Sequence, residues 1–577
     1  MAAEWEHAMA KKPANLIYGV GDRPPLTEMA LLGLQHVFVM TAGWVLVVVI
    51  VATIGGTQED ITNVLRMSMI ASGVATILQS LPNSRVGSGY LCPMSSGPAF
   101  VTASILVGKA GGLGAVFTMT LIAGFFEAVL ARILPRLRIL FPPEVTGLVV
   151  IMVGVQLIKL GCPKFLGFQE GGGGPQGAAT AVATVTLAAM IGPTIWGKGK
   201  IKLYPVLAGL VVGYALAYFL GLVKPERWQE MLDAPIISLP HRAVWDWSIE
   251  FALLPAFLIA SLASTLKAVG DLTICQKIND ADWKRTDMKS VGGGIFAGAF
   301  GTGLAGLLGG IGQSTFSSNV GLSLATGATS RLVAIPCGIL LILSAFLPPL
   351  AAFFAVMPDP VMGAILVYVA CYMILAGVQV VTSRMLDARR IFVVGIALIF
   401  GLSVDMVPGL YRGAPDWIQP VFSSSLSTAT VFVVLLNLLF RIGVTRRQVL
   451  ELTPGVDSSQ KIFDFMETQG GVWGARPDVI RRATAALNEF VEAAAGLGLV
   501  NGKARAEASF DEFNLDLDIR YDGTLMEFPS RRPTEDPLLD DQDAIASLSG
   551  FLIRQYADGI KAENINGRCR IQMHFDH

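Results

Sequence analysis

The chain has 577 residues, of which 53% are hydrophobic and only 15% charged, with a mean hydropathy of +0.58. Soluble proteins carry about 25% charged residues, so this composition excludes an ordinary soluble enzyme and points to lipid. A formal net charge of −1 offers no basic field to a nucleic acid, and six scattered cysteines without a CxxC pair predict neither a zinc site nor a disulfide framework.

Residues 1–27 are polar and contain proline, unlike a cleavable signal peptide, and read as a cytoplasmic tail. From Met29 to Phe440, apolar spans of about 20 residues then recur. They fall near 28–54, 61–82, 97–110, 112–135, 142–160, 177–196, 202–222, 250–270, 290–310, 318–328, 331–356, 360–381, 390–407 and 420–440. The sequence thus predicts about fourteen membrane segments. At a rise of about 1.5 Å per residue, the third and tenth are too short to cross about 30 Å of hydrocarbon as helices alone. Extended backbone before each must make up the distance.

Basic residues orient these segments. Lys11, Lys12 and Arg23 precede segment 1, Arg136 and Arg138 follow segment 4, and Lys198, Lys200 and Lys202 follow segment 6. Lys277, Lys284, Arg285 and Lys289 follow segment 8, and Arg331 follows segment 10. Arg384, Arg389 and Arg390 follow segment 12, and Arg441, Arg446 and Arg447 follow segment 14. All these clusters fall on one side of the membrane, with Lys159, Lys164, Lys224 and Arg227 as exceptions. The bias predicts cytoplasmic termini at both ends.

Two polar breaks interrupt this pattern: Ser95-Ser96-Gly97-Pro98 at segment 3 and Ser317-Ser318-Asn319-Val320-Gly321 at segment 10. Unpaired backbone is tolerated in hydrocarbon only where protein buries it or a watery cavity meets it. Broken helices in corresponding halves therefore mark a transporter's substrate site. The breaks lie seven segments apart, and an odd repeat length inverts the second copy, which predicts a 7+7 inverted repeat. Each half-helix start offers free N–H groups and a partial positive end, suited to a polar, hydrogen-bonding ligand.

Lys267, in segment 8, is an intramembrane cation, and such a residue faces a cavity or an acid. Its structural alternatives are a pair with Glu127 in segment 4 or snorkelling towards the cytoplasm. Asp271 stands one turn beyond it, where a local ion pair is expected. Asn319 either meets substrate or ties the broken backbone together. Ser95, Ser96, Ser317 and Ser318 serve a ligand or close helix packing. His36, the only His in the membrane region, binds or relays protons or simply bonds a neighbouring helix. Gly301, Gly303, Gly306, Gly309 and Gly310 read as packing positions.

After Arg447 the chain turns polar. An amphipathic helix is expected near 477–497, followed by a strand with Phe513, Leu515, Leu517, Ile519 and Tyr521 on one face. A second strand covers Cys569–Phe575. Residues 450–577 are enough for one independent domain of mixed helix and strand.

The segment-10 run from Ser318 through Asn319 and Gly321 to Thr326, with Gln35-His36 in segment 1, resembles the nucleobase–ascorbate transporter family over about residues 25–440. That resemblance implies a base gripped by a segment-8 Glu and the first signature residue, positions that here read Lys267 and Ser318. The family's segment-9 acid is likewise replaced, at Gly298. The resemblance implies a substrate-carrying core of segments 1–4 and 8–11, and a gate and dimer scaffold of segments 5–7 and 12–14. In the tail, Asn488-Glu489-Phe490-Val491-Glu492-Ala493-Ala494 resembles the helix motif of histidine-kinase-type ATPase domains. Ala493 stands where that motif has its Mg²⁺-binding Asn, and Tyr521 where the adenine-reading Asp belongs. The resemblance implies a degenerate regulatory domain without nucleotide.

The sequence therefore describes an all-α polytopic membrane protein with a cytoplasmic α+β domain: 1–27 tail, 28–445 transporter, 450–577 regulatory. Its expected function is permeation of purine or pyrimidine bases across the cell (inner) membrane as a homodimer, without metal or cofactor. The candidate substrate ligands are Lys267, Ser318, Asn319, Ser317, Ser95, Ser96, Gln35 and His36. An anion transporter using Lys267 as counter-charge, and a transporter-derived sensor signalling through the C-terminal domain, are the competing readings. No enzyme constellation is apparent.

Overall fold

The computed structural model describes residues 12–577 apart from 15, 83–84, 138–141, 169–175, 198–204, 224–228, 230–234, 282, 284–285, 384, 408, 416–417, 441–446, 458, 511–513, 532–541 and 566–567. Lys11, Arg138, Lys198, Lys200, Lys202, Lys224, Arg227, Lys284, Arg285, Arg384, Arg441, Arg446 and Phe513, all used above, lie outside the described residues. Two compact units emerge. The first comprises Met1–Val381 and Val394–Leu436, the second Thr382–Val393 and Asn437–His577.

The first unit is helical. Its helices are α1 (Leu26–Thr53), α2 (Gln58–Gln79), α3 (Val101–Leu137), α4 (Pro143–Leu166), α5 (Gly177–Trp196), α6 (Pro205–Phe219) and α7 (Leu254–Asn279). They continue with α8 (Met288–Leu308), α9 (Ser317–Thr326), α10 (Ala334–Ser344), α11 (Pro348–Ala355) and α12 (Asp359–Val381). Then come α13 (Ala388–Met406), which begins in the second unit, and α14 (Ser425–Leu439). Among the described residues, eight helices are long and apolar enough to cross a membrane, or nine if the bent pair α10–α11 is one span.

Local chemistry sets several boundaries. Thr57 and Asp60 form a reciprocal capping box that starts α2. Segments 3 and 4, expected as separate helices, are the two helical stretches of α3, which meet at a kink at Gly112 (φ +72°), a backbone conformation only glycine adopts easily. Segment 11, expected as one span, is instead α10 and α11 bent by 81°. Proline at the start of α11 permits that restart, since its missing N–H has no partner to lose there. Glycines let helices approach closely. A Cβ at Gly147 of α4 would lie 2.7 Å from the Gly377 carbonyl of α12, and one at Gly161 would lie 2.9 Å from Leu366 Cβ.

A short strand takes in Ser95 and Ser96 of the first sequence break, whereas the second break, 317–321, is already helical and a short strand precedes it. β1 (Met94–Ser96) and β2 (Gln313–Thr315) pair antiparallel, Met94 opposite Thr315, Ser95 opposite Ser314 and Ser96 opposite Gln313. A 3-10 turn over Pro98–Phe100 leads from β1 into α3, and β2 leads into α9, which is only 10 residues long. The pairing satisfies backbone groups that hydrocarbon would leave unpaired.

The second unit holds a five-stranded antiparallel sheet in the order β3 (Arg447–Leu452), β4 (Ala504–Phe510), β5 (Asn514–Asp522), β7 (Arg568–Asp576), β6 (Gly559–Ile565). Leu515, Leu517, Ile519 and Tyr521 alternate inward on β5, and Phe575, Met573, Ile571 and Cys569 stand opposite them on β7. The helices of this unit are α15 (Ser459–Trp473), α16 (Pro477–Gly496) and α17 (Gln542–Tyr556). The buried face of α16, with Ala483, Leu487, Phe490 and Ala494, joins this sheet face in one core. Arg390 donates to the Gly471 and Trp473 carbonyls at 2.6 and 2.8 Å, so a cation closes the end of α15.

Candidate functional site

Lys267 and Asp271 are spaced i, i+4 on α7, so they share one helix face. Both are buried, and Lys267 Nζ lies 2.8 Å from Asp271 Oδ2. The ammonium also donates to the Thr315 carbonyl at 2.5 Å. Asp271 accepts from Thr315 Oγ1 at 2.5 Å and, through its other oxygen, from Ser317 Oγ at 2.7 Å. One ion pair thus fastens α7 to the last residue of β2 and the first residue of α9. This arrangement corrects two structural alternatives for Lys267: its partner is Asp271, not Glu127, and its ammonium is enclosed rather than snorkelling.

The pair opens on a cavity of about 400 Å³. Phe38 of α1, Phe316, Ser317 and Ser318 at the start of α9, Tyr368 and Tyr372 of α12 and Thr194 of α5 are among the residues that line it. Thr194 Oγ1 and Tyr368 Oη are 3.0 Å apart, which fixes the ring across the interface between these helices. No side chain caps α9, and within its first turn Asn319 N donates to the Phe316 carbonyl at 2.9 Å.

The other sequence candidates lie behind this wall rather than on it. Ser95 and Ser96 are buried on β1 with unpaired hydroxyls. Asn319 is fully buried, neither atom of its carboxamide has a hydrogen-bond partner, and it neighbours His36, whose Nδ1 is also unpaired. The Gln35 carbonyl oxygen is buried and unpaired as well. These residues form a buried polar layer behind the cavity wall.

Sequence reasoning missed the posts that hold the strands. Ser68, Ser72 and Thr76 form an i, i+4, i+8 ladder on α2. Ser68 Oγ accepts from Ile311 N at 3.1 Å, Ser72 Oγ donates to Gln313 Oε1 at 2.6 Å, and Thr76 Oγ1 accepts from Met94 N at 3.0 Å. The spacing of three hydroxyls along one face of a membrane helix was the available signal. Thr315, Tyr368 and Tyr372 carried no comparable signal.

In the second unit, Tyr521 points into the core, with its ring centroid 5.5 Å from that of Phe490 and its hydroxyl on the Thr524 carbonyl. A side chain so placed does not face a ligand.

Helices of membrane length, two of them interrupted at a buried polar site beside a cavity, define a multi-pass membrane transporter. The Permease family model matches residues 27–410, and the chain belongs to that family. A putative purine permease of Clostridium perfringens is 33% identical over 432 residues, covering 73% of this chain and 92% of the relative. The xanthine permease XanP of Escherichia coli is 27% identical over 443 residues, covering 74% and 95%. The uric acid permease PucJ of Bacillus subtilis is 25% identical over 417 residues, covering 71% and 92%.

Proposed function

We propose that this permease carries purine bases of the xanthine and uric acid type, binding them at the Lys267–Asp271 pair where it opens between the two broken helices. That pair is the observation that carries the reading. It presents an ammonium N–H beside carboxylate oxygens, with the Ser317 and Ser318 hydroxyls adjoining. An oxidised purine brings ring N–H donors and carbonyl acceptors that complement such a set. Phe38, Phe316, Tyr368 and Tyr372 give the cavity aromatic walls on which a flat heterocycle can stack. The relatives' xanthine, uric acid and purine substrates support the same class.

Asp271 already neutralises Lys267, so a small inorganic anion would find little net charge here. This favours a base over chloride or bicarbonate. We further read the membrane unit as fourteen segments in a 7+7 inverted repeat, with core segments 1–4 and 8–11 and gate segments 5–7 and 12–14. The protein acts as a homodimer in the cell membrane, with both termini cytoplasmic and a regulatory C-terminal domain. It is a carrier and not an enzyme.

Uptake of labelled xanthine, uric acid and uracil into cells lacking their own permeases tests the proposal. Saturable uptake of a purine, lost in Lys267→Ala, is the expected result. Absence of base uptake from protein present at the surface would overturn it.

A further inference from the structure

Thr194, Tyr368 and Tyr372 line the same cavity as the Lys267–Asp271 pair, but they come from α5 and α12 rather than from the helix that carries the pair. Each has one hydroxyl hydrogen, and where those hydrogens go decides what this wall offers a ligand. Thr194 Oγ1 donates to the Met190 carbonyl at 2.8 Å, a bond to the preceding turn that threonine makes readily in a helix. Its hydrogen is taken up there. Tyr368 Oη stands 3.0 Å from Thr194 Oγ1. With the threonine hydrogen elsewhere, the phenol hydrogen must fill that contact, or two oxygens would face each other with lone pairs alone. Tyr372 Oη, 3.4 Å from Tyr368 Oη, is the weaker competitor for the same hydrogen. The chain therefore runs from Tyr368 to Thr194 to the Met190 carbonyl, and the α5 backbone sets its direction.

Tyr368 is left with lone pairs and no hydrogen to give, so towards the cavity its oxygen accepts. The Thr194 bond and the Tyr372 ring, with its centroid 5.0 Å from that of Tyr368, hold the phenol in place. Such an acceptor selects ligands by their N–H groups, because a C–H in the same place leaves it unpaired. The Lys267–Asp271 pair already offers a donor and acceptors, which suit the alternating carbonyl and N–H groups on the six-membered ring of an oxidised purine. The five-membered ring brings N–H groups of its own.

We propose that Tyr368 is a specificity-determining residue of this permease, its oxygen accepting an N–H from the five-membered ring of the purine. Thr194 is the positioning residue that keeps the Tyr368 hydrogen out of the cavity. This adds a second contact for the base held at Lys267–Asp271, and it rests on the permease reading above. It makes the carrier selective for purines over uracil, which has no five-membered ring.

The test sets two isosteric competitors, 7-deazaxanthine and 9-deazaxanthine, against uptake of labelled xanthine by the full-length protein in cells lacking their own permeases. Each replaces one nitrogen of the five-membered ring by C–H and keeps an N–H at the other, so the two differ in hydrogen bonding and hardly in shape. Wild type is expected to prefer one isomer about tenfold. Tyr368→Phe keeps the ring, loses the oxygen and should bring the ratio close to unity. Thr194→Val frees the phenol hydrogen to turn into the cavity and should lower the ratio about threefold. The ratio is independent of how much protein reaches the surface, so a variant that merely folds poorly keeps the wild-type value. Equal competition by the isomers in wild type, or an unchanged ratio in Tyr368→Phe, overturns the proposal. Should Tyr368→Phe give no uptake, Thr194→Val decides, and an unchanged ratio there overturns it. Absence of saturable wild-type uptake of xanthine and uric acid overturns the permease reading and this inference with it.

Discussion

Asp271 and Thr315 are 44 residues apart in sequence, yet the Thr315 hydroxyl donates to Asp271 Oδ2 at 2.5 Å. That bond, with Lys267 donating to both residues, joins an unbroken helix to the strand that interrupts a broken one.

Removing one member of this pair leaves the other charge buried and alone, at a cost of about 3–5 kcal/mol. Asp271→Ala and Lys267→Ala are therefore expected to lower the melting temperature of detergent-solubilised protein and to abolish uptake. The double variant Lys267→Met with Asp271→Leu recovers melting but not uptake. Recovered transport in the double variant would show that the pair only holds the fold.

Gly43 of α1 faces Ser95 so closely that any added Cβ would collide with the serine hydroxyl. Gly43→Ala is expected to displace β1 and cut uptake sharply, and Ser95→Gly added to it should restore much of the loss. Saturation kinetics of the two single variants and the double variant measure this coupling.

In the second unit, Arg390 donates a fork of hydrogen bonds to the carbonyls closing α15. Charge-assisted bonds of this kind contribute about 1.5–3 kcal/mol each. Arg390→Ala should expose the end of α15 to limited proteolysis, and Arg390→Lys should protect it only partly, because an ammonium cannot reproduce the planar fork.

His574 supplies a pH dependence outside the membrane. Burial alone would lower its pKa, but Asp516, 2.6 Å from Nδ1, and Asp576 outweigh burial and raise it. The stabilisation is full below the unfolded value of about 6.5 and is lost as pH rises through the raised folded value. Hydrogen exchange at β5 and β7 in the full-length protein should quicken across that window beyond its intrinsic pH trend. His574→Gln should abolish the excess.

The sequence made the apolar segments legible because lipid demands a length and a composition, and the first break because lipid punishes unpaired backbone, while the second strand lies just ahead of the polar run at 317–321. The i, i+4 spacing exposed the Lys267–Asp271 pair. Hidden from it were contacts set by how helices pack: Thr315 on Asp271 and the Ser68–Ser72–Thr76 posts. The bend between α10 and α11 was signalled by Pro348-Pro349, yet the continuous hydrophobicity of 331–356 masked it. On β5, strict alternation was sufficient, since one face of that sheet is buried.

The most direct measurement of the central claim is substrate protection of Ser318→Cys in a background where Cys162 and Cys371 are serine. Maleimide labelling of that cysteine in the cavity wall should slow about tenfold when xanthine or uric acid is present at ten times its dissociation constant. Labelling unchanged by any base that the protein transports would contradict a substrate site between the broken helices.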